Sequence, residues 1–205
     1  MACELKDLHE LKAGDIIGFS GHEWQSVGIN LFSYGIPFWS LSHCGIMGRT
    51  SNGCLLLFES TTLNSIPCEI TGKSIAGSQA HSLDTRVASY RGKVWAYPLY
   101  RPLFDHEDKR LTEFLMATVG LSYNTIGAFR AGGIGYSWVE SQLREDNLHS
   151  LFCSEWCAAA HAEIGIFAVD NPGRWNPNLL VRAERHKGIL RKPRRMTCTT
   201  PITAA

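Results

Sequence analysis

Hydrophobic and polar positions divide the chain into a β-rich first half and a helical second half. Alternating or short apolar runs predict four strands: Ile16 to Phe19, then SHCGIMGR, CLLLFEST and VWAYPLY. From His106 the spacing changes, because KRLTEFLMATVGLSY carries apolar residues at helical intervals and ends at Gly120. This order predicts an α+β fold, with an antiparallel sheet packed against helices rather than a doubly wound sheet.

Three further segments have helical patterns. HEWQSVGINLFSYG predicts a helix ending near Gly35, and NPGRWNPNLL predicts a turn followed by a short helix capped by Asn176 or Asn178. Between them, LFCSEWCAAAH predicts a helix over residues 151–164. One face of that helix carries Cys153, Trp156, Cys157, Ala160 and Ile164. We expect this face to be buried or to point into a site.

The C-terminal segment differs in composition from the rest of the chain. KGILRKPRR has five Lys or Arg within nine residues and leads into a Thr-rich end. Such a segment favours a solvated, flexible tail, with contact to phosphate or an acidic surface as the alternative. We therefore expect a single domain over residues 1–186 and a basic tail over residues 187–205.

Composition limits the classes of function. Twenty Lys and Arg stand against nineteen Asp and Glu, so charge gives no general case for a nucleic-acid partner. The chain has no signal-peptide pattern and no apolar run of about 18 residues, so we expect no membrane span. The expected location is cytoplasmic as synthesised, with delivery by a phage particle or a secretion system as the alternative. Seven cysteines without tight spacing indicate a reducing compartment rather than a disulfide framework.

Cys153 is the candidate nucleophile. It stands where the predicted helix begins, and backbone N–H groups in a first helical turn stabilise a thiolate. Ser154 can cap this helix, and Glu155 suits the dipole of its first turn.

A cysteine nucleophile needs a proton acceptor and a group that orients it. His43 opens a predicted apolar strand, which would anchor its ring on rigid backbone. Glu59 ends the next strand and could orient the imidazole. The alternatives are a structural histidine and a strand-end glutamate facing water, each common without the other two residues.

The ordered motifs resemble a known family. GDIIGFSG, SHCGIM, LFES, GLSYN, FCSEWCAAA and NPNLL occur in the order typical of the circularly permuted NlpC-type papain-like cysteine hydrolases. This YiiX/YebB-like branch is related to lecithin retinol acyltransferase-like proteins. The resemblance spans residues 12–182 and implies a permuted papain-like topology, with the catalytic cysteine at a helix N-terminus.

By this resemblance Cys153 is the nucleophile, His43 the base and Glu59 its orienting partner. The backbone N–H of Cys153 would supply one oxyanion donor. The predicted substrate-binding residues are Tyr123, Ser154 and Trp39, whereas Asp15 is expected to hold the turn before the first strand. The sequence departs from the family pattern at Cys44, where an aliphatic residue is usual, and at Ser122 and Asn124, where Pro and Asp are usual.

The resemblance implies a thiol hydrolase that cleaves an amide bond through a thioacyl-enzyme, and no cofactor. A peptide or an acyl-containing small molecule is the expected substrate, with cell-wall peptidoglycan as one candidate. The alternatives are a lipid or N-acyl hydrolase or acyltransferase with the same triad, and a non-catalytic virion or binding protein. The apolar stretch GINLFSYGIPFWSL could line an acyl pocket or belong to the core.

A metal site is a further alternative, but we expect that the candidate ligands do not form one. His149, Cys153, Cys157 and His161 recur every fourth residue. Strung along about 18 Å of one helix, they cannot all converge on one ion. We therefore expect Cys157 to be a small buried residue and His161 to lie on the helix surface or in the C-terminal half of the helix.

Overall fold

A computed structural model of the chain describes residues 10–21, 41–61, 65–74, 76–121, 145–168 and 175–197, with the backbone alone for residues 145–152. The predicted helix over HEWQSVGINLFSYG lies outside these residues. Within them the fold is α+β, as the order of elements predicts.

Six strands form one antiparallel sheet. They are β1 (Ile16–Ser20), β2 (His43–Arg49), β3 (Leu55–Thr61), β4 (Gly77–His81), β5 (Lys93–Tyr97) and β6 (Arg194–Met196). Their order across the sheet is β4-β3-β2-β1-β5-β6. The strands predicted from the sequence are β1, β2, β3 and β5, and the structure confirms all four.

Four helices are described, and they pack on both faces of the sheet. They are α1 (Leu83–Ala88), α2 (Asp105–Thr118), α3 (Glu145–Glu163) and α4 (Pro177–His186). Helices α2, α3 and α4 share a hydrophobic cluster with one face of the sheet, through residues such as Leu111, Trp156 and Leu180. Helix α1 packs on the other face, where Leu83 and Val87 join a second cluster.

Strand alternation separates two neighbouring residues of β2. Successive side chains of a strand point to opposite faces of a sheet. Cys44 belongs to the cluster with α3, whereas Phe19 and Met47 belong to the cluster with α1. His43 therefore shares the α1 face of the sheet with Glu59, and Cys44 lies on the α3 face.

Gly45 allows β2 and β3 to approach closely beside the candidate site. In the register of the two strands Ile46 lies opposite Phe58, which places Gly45 opposite Glu59. A Cβ atom on Gly45 would lie 2.7 Å from the backbone oxygen of Phe58 and 3.1 Å from the Cβ of Glu59. A backbone atom cannot give way as a side-chain tip can, so the missing side chain is a packing requirement.

Two polar side chains hydrogen-bond to the backbone of segments that lead into strands of the sheet. The amide of Asn178 accepts from Leu41 N at 2.8 Å and donates to Leu41 O at 3.0 Å, just before β2. Asp15 accepts from Lys12 N at 3.0 Å, and its other oxygen accepts from Leu99 N at 2.8 Å. Asp15 therefore holds the turn before β1, as predicted, and Asn176 rather than Asn178 caps α4.

Two expectations from the sequence need correction. Helix α3 begins at Glu145 rather than near residue 151, because EDNLHSLF continues the helix on the N-terminal side of Cys153. Part of the predicted tail is also ordered: β6 pairs with β5, and Met196 is buried in the cluster with α1. The division of the chain at residue 187 stays a prediction. Residues 194–196 form an edge strand of the sheet, and the buried apolar side chain of Met196 holds this strand against the cluster with α1.

We predict that Gly45→Ala separates β2 from β3. The variant should lose about 1–3 kcal/mol of unfolding free energy, because the new methyl group meets the backbone oxygen of Phe58, which cannot move aside as the tip of the Leu57 side chain can. Urea unfolding measures this change, with Ser51→Ala in the exposed turn after β2 as the control, expected within about 0.5 kcal/mol of the parent. Equal stabilities for the two variants would contradict the close-approach role of Gly45.

Candidate active site

Cys153 lies in the body of a helix rather than at its start. It is the ninth residue of α3 and is fully buried. Within an α-helix the backbone N–H donates to the carbonyl four residues earlier. The predicted helix N-terminus at Cys153, its capping by Ser154 and its role as a backbone oxyanion donor are therefore wrong.

Two other thiols surround Cys153. Cys157 lies one helical turn further along α3, and its Sγ is 3.9 Å from the Sγ of Cys44 on β2. Cys44 also hydrogen-bonds to Cys153, through its thiol and through its backbone. All three side chains are fully buried, and none of them forms a disulfide.

His43 contacts residues on both faces of the sheet at the candidate site. As the first residue of β2 its ring lies at the end of the strand, with 16% of the side chain exposed. Its Nε2 is 2.7 Å from Oε2 of Glu59, and it also hydrogen-bonds to Cys153. The ring of Phe19 lies beside it, with 5.5 Å between centroids.

Glu59 is a fully buried carboxylate that has three partners on three elements. Besides His43 on β2, its Oε1 accepts from Nδ1 of His81 on β4 at 3.0 Å and from Nε of Arg86 on α1 at 2.7 Å. Burial opposes its ionisation, but the hydrogen bonds of His43 and His81 and the charge of Arg86 hold the pKa of Glu59 well below its ordinary value.

The electrostatics favour a thiolate–imidazolium pair. Burial opposes the charge on Cys153, but the hydrogen bonds from Cys44 and the charge of His43 hold the pKa of the Cys153 thiol well below its ordinary value. Burial also opposes the charge on His43, yet Cys153 and Glu59 raise the pKa of its imidazole to about 9. A reactive cysteine requires such a lowered pKa, and here neighbouring side chains rather than a helix terminus provide it.

The other predicted site residues have different outcomes. Tyr123 and Trp39 lie outside the described residues. Ser154 is buried, and its hydroxyl donates to the backbone oxygen of Trp175. Its role in substrate binding stays a prediction.

Three residues at the site were not found from the sequence, namely Cys44, His81 and Arg86. Cys44 stood out only as a departure from the family motif. His81 and Arg86 lie in SQAHSLDTRVAS, whose pattern of polar residues gives no sign that they reach a buried carboxylate.

His161 forms a second buried histidine–carboxylate pair, with Glu184. His161 lies in the C-terminal half of α3, which is one of the two predicted positions, but the alternative of a surface position is wrong, because the residue is fully buried. Its Nδ1 is 2.7 Å from Oε1 of Glu184 on α4, and its Nε2 is 2.9 Å from Gly14 O. Both ring nitrogens thus join α3 to neighbouring elements. Cys157 is fully buried, as predicted.

The described residues contain no group of three or more His, Cys, Asp or Glu side chains arranged to hold a metal ion. None of the described helices combines the length and apolar character that crossing a membrane requires.

Comparisons with known proteins find a likeness among solved structures alone. No family model and no curated protein matches the chain. Among solved structures, the crystal structure of metalloprotein YiiX from Escherichia coli O157:H7 aligns with 93% of this chain and 99% of its own, at 16% identity and a TM-score of 0.48. A TM-score of 0.48 is too low to assign a function to this chain.

We predict that iodoacetamide alkylates Cys153 at about pH 6 faster than Cys157 and the exposed Cys54, because an ordinary thiol is almost fully protonated there. His43→Ala should slow this labelling by at least about tenfold, the effect of one pKa unit. Peptide mass spectrometry after timed labelling measures the rates. Labelling of Cys153 with the same pH dependence as that of Cys54 would refute the thiolate assignment.

We also predict a pH-dependent contribution of His161 to stability. Burial opposes its charge, but Glu184 raises the pKa of His161 in the folded state. The stabilisation is therefore fully present below the ordinary histidine pKa of about 6.5 and is lost as pH rises through the raised folded value.

His161→Gln should accordingly destabilise the protein by about 3 kcal/mol at pH values below about 6, and by less in alkaline solution. Urea unfolding across pH measures this difference. His106→Gln, an exposed site on α2, is the control and should show no such pH dependence. A loss at His161 that is the same at every pH would contradict the ionic role.

Proposed function

We propose that the chain is a cysteine hydrolase of the circularly permuted, NlpC-type papain-like class. The convergence of Cys153, His43 and Glu59 is the observation that carries this proposal. These residues come from α3, β2 and β3, and two of the three are fully buried. The order of the family motifs along the chain supports the same assignment independently.

The hydrogen bond to Glu59 assigns the two nitrogens of His43. A carboxylate only accepts hydrogen bonds, so Nε2 carries the hydrogen in the 2.7 Å contact with Glu59. Nδ1 is then the atom that exchanges a proton with Cys153. Glu59 thereby orients the ring and stabilises its charged form.

The proposed reaction is acyl transfer in two steps. The Cys153 thiolate attacks the carbonyl carbon of an amide or ester, and Nδ1 of His43 gives its proton to the departing amine or alcohol as the carbonyl–heteroatom bond breaks. The neutral His43 then takes a proton from water, whose oxygen attacks the thioester. The acid is released, and the thiolate–imidazolium pair is restored.

The raised pKa of His43 sets an upper pH limit for this reaction. The leaving group needs a proton from His43, whose pKa of about 9 marks where that proton is lost. Hydrolysis should therefore decline as pH rises through about 9.

We predict hydrolysis of one substrate class in a panel of muropeptides, acyl esters and N-acyl amino acids, with Cys153→Ser as the blank. An amide-bond substrate is the expected class, and an acyl ester would favour the lipid alternative. His43→Ala should lower kcat by about 10²–10⁴, the usual contribution of a general acid–base. Product release is followed by mass spectrometry.

Two outcomes would contradict the proposal. Product formation that persists in Cys153→Ser would exclude a cysteine nucleophile. Stoichiometric zinc in the purified protein, lost on Cys153→Ser, would favour a metal site instead.

A further inference from the structure

Arg86 is a buried arginine that contacts the carboxylate of the proposed triad. Its Nε donates to Oε1 of Glu59 at 2.7 Å, the oxygen that His43 does not use. Its guanidinium carbon lies 4.6 Å from the centre of the Phe19 ring and 5.5 Å from that of Tyr90. Stacking on two aromatic rings fixes the guanidinium in place beside Glu59.

Titratable or charged side chains reach Glu59 from three elements. His43 faces it from β2, His81 from β4 and Arg86 from α1. The thiols of Cys153 and Cys157 on α3 lie further away. Of these groups, an arginine is the one that stays charged at every pH at which a protein is folded.

The charges of the site alternate in sign. With the ion pair formed, they run from the Cys153 thiolate to the His43 imidazolium, then to the Glu59 carboxylate and the Arg86 guanidinium. These four charges sum to zero, which matters because an uncompensated charge in a buried site costs several kcal/mol. Without Arg86 the same ionisation state would leave a net negative charge.

We propose that Arg86 is a positioning residue that keeps Glu59 ionised and so sustains the Cys153–His43 ion pair. It acts through Glu59 and does not touch the reacting atoms. This inference rests on the proposed function, since it assigns a role within that same site.

His81 holds the same oxygen of Glu59 without supplying a permanent charge. Because its Nδ1 contacts a carboxylate, Nδ1 carries the hydrogen, and Nε2 is buried without a hydrogen-bond partner among the described residues. His81 therefore fixes the direction of the carboxylate, and Arg86 fixes its charge.

The test is the pH–rate profile of iodoacetamide labelling at Cys153, with the free energy of unfolding measured in parallel. In Arg86→Met the acid limb of the profile should move up by about one pH unit or more, because an arginine beside a carboxylate shifts its pKa by about 1–3 units. Arg86→Lys should restore part of the shift. Arg101→Met, which removes an arginine from Glu107 on α2, should leave the profile unchanged.

Combining Arg86→Met with Glu59→Gln distinguishes an effect that acts through Glu59 from a general structural effect of removing Arg86. Once the carboxylate is absent, Arg86→Met should cause no further shift in the acid limb. If Arg86→Met alone does not fold, the double variant and Arg86→Lys carry the comparison. An unshifted limb in folded Arg86→Met, or the same shift with and without Glu59, would overturn the role of Arg86.

The two proposals fail in different ways. If the parent protein shows the profile of an ordinary thiol, the cysteine hydrolase proposal fails, and the role of Arg86 fails with it. If the parent is reactive at low pH and Arg86→Met is equally reactive, the role of Arg86 fails alone.

Discussion

The buried carboxylate of Glu59 is the constraint on which the candidate site depends. An ionised carboxylate without water is expensive unless charged and hydrogen-bonding groups surround it. Here the partners come from β2, β4 and α1, so each of those elements must lie where its side chain reaches Glu59. The same contacts that satisfy the charge fix the ring of His43.

The site extends across both faces of the sheet. Glu59 and Arg86 lie on the α1 face, whereas Cys44, Cys153 and Cys157 lie in the cluster with α3. His43 stands at the end of β2 and contacts groups on both sides. The reactivity proposed for Cys153 thus depends on a charge on the opposite face of the sheet, and the close approach at Gly45 brings that charge near.

The sequence predicts the parts of this arrangement that have periodic apolar patterns. β1, β2, β3, β5 and α2 follow from such patterns, and the His43–Glu59 contact follows from two neighbouring strands. β4 has the sequence GSQAH and buries mostly polar residues, so alternation gives no signal there. β6 reads RRM and resembles a basic tail until pairing with β5 is known.

The start of α3 shows how a misplaced helix boundary leads to a wrong explanation of the reactivity of a residue. The resemblance implied a cysteine at a helix N-terminus, where the dipole would stabilise a thiolate. The helix instead begins at Glu145, and the lowered pKa of the Cys153 thiol depends on hydrogen bonds from Cys44 and on the charge of His43. Cys44 entered the sequence analysis only as a departure from a motif, because no local pattern shows which thiols a fold brings together.

The proposed chemistry of the site depends on Cys153 being a thiolate that is paired with a protonated His43. Ultraviolet absorbance distinguishes a thiolate from a thiol, so a pH titration of the folded protein tests this claim without any substrate. A thiolate signal should persist well below neutral pH and disappear in Cys153→Ser. A signal that appears only in the ordinary range of cysteine, about pH 8–9, would contradict this pairing.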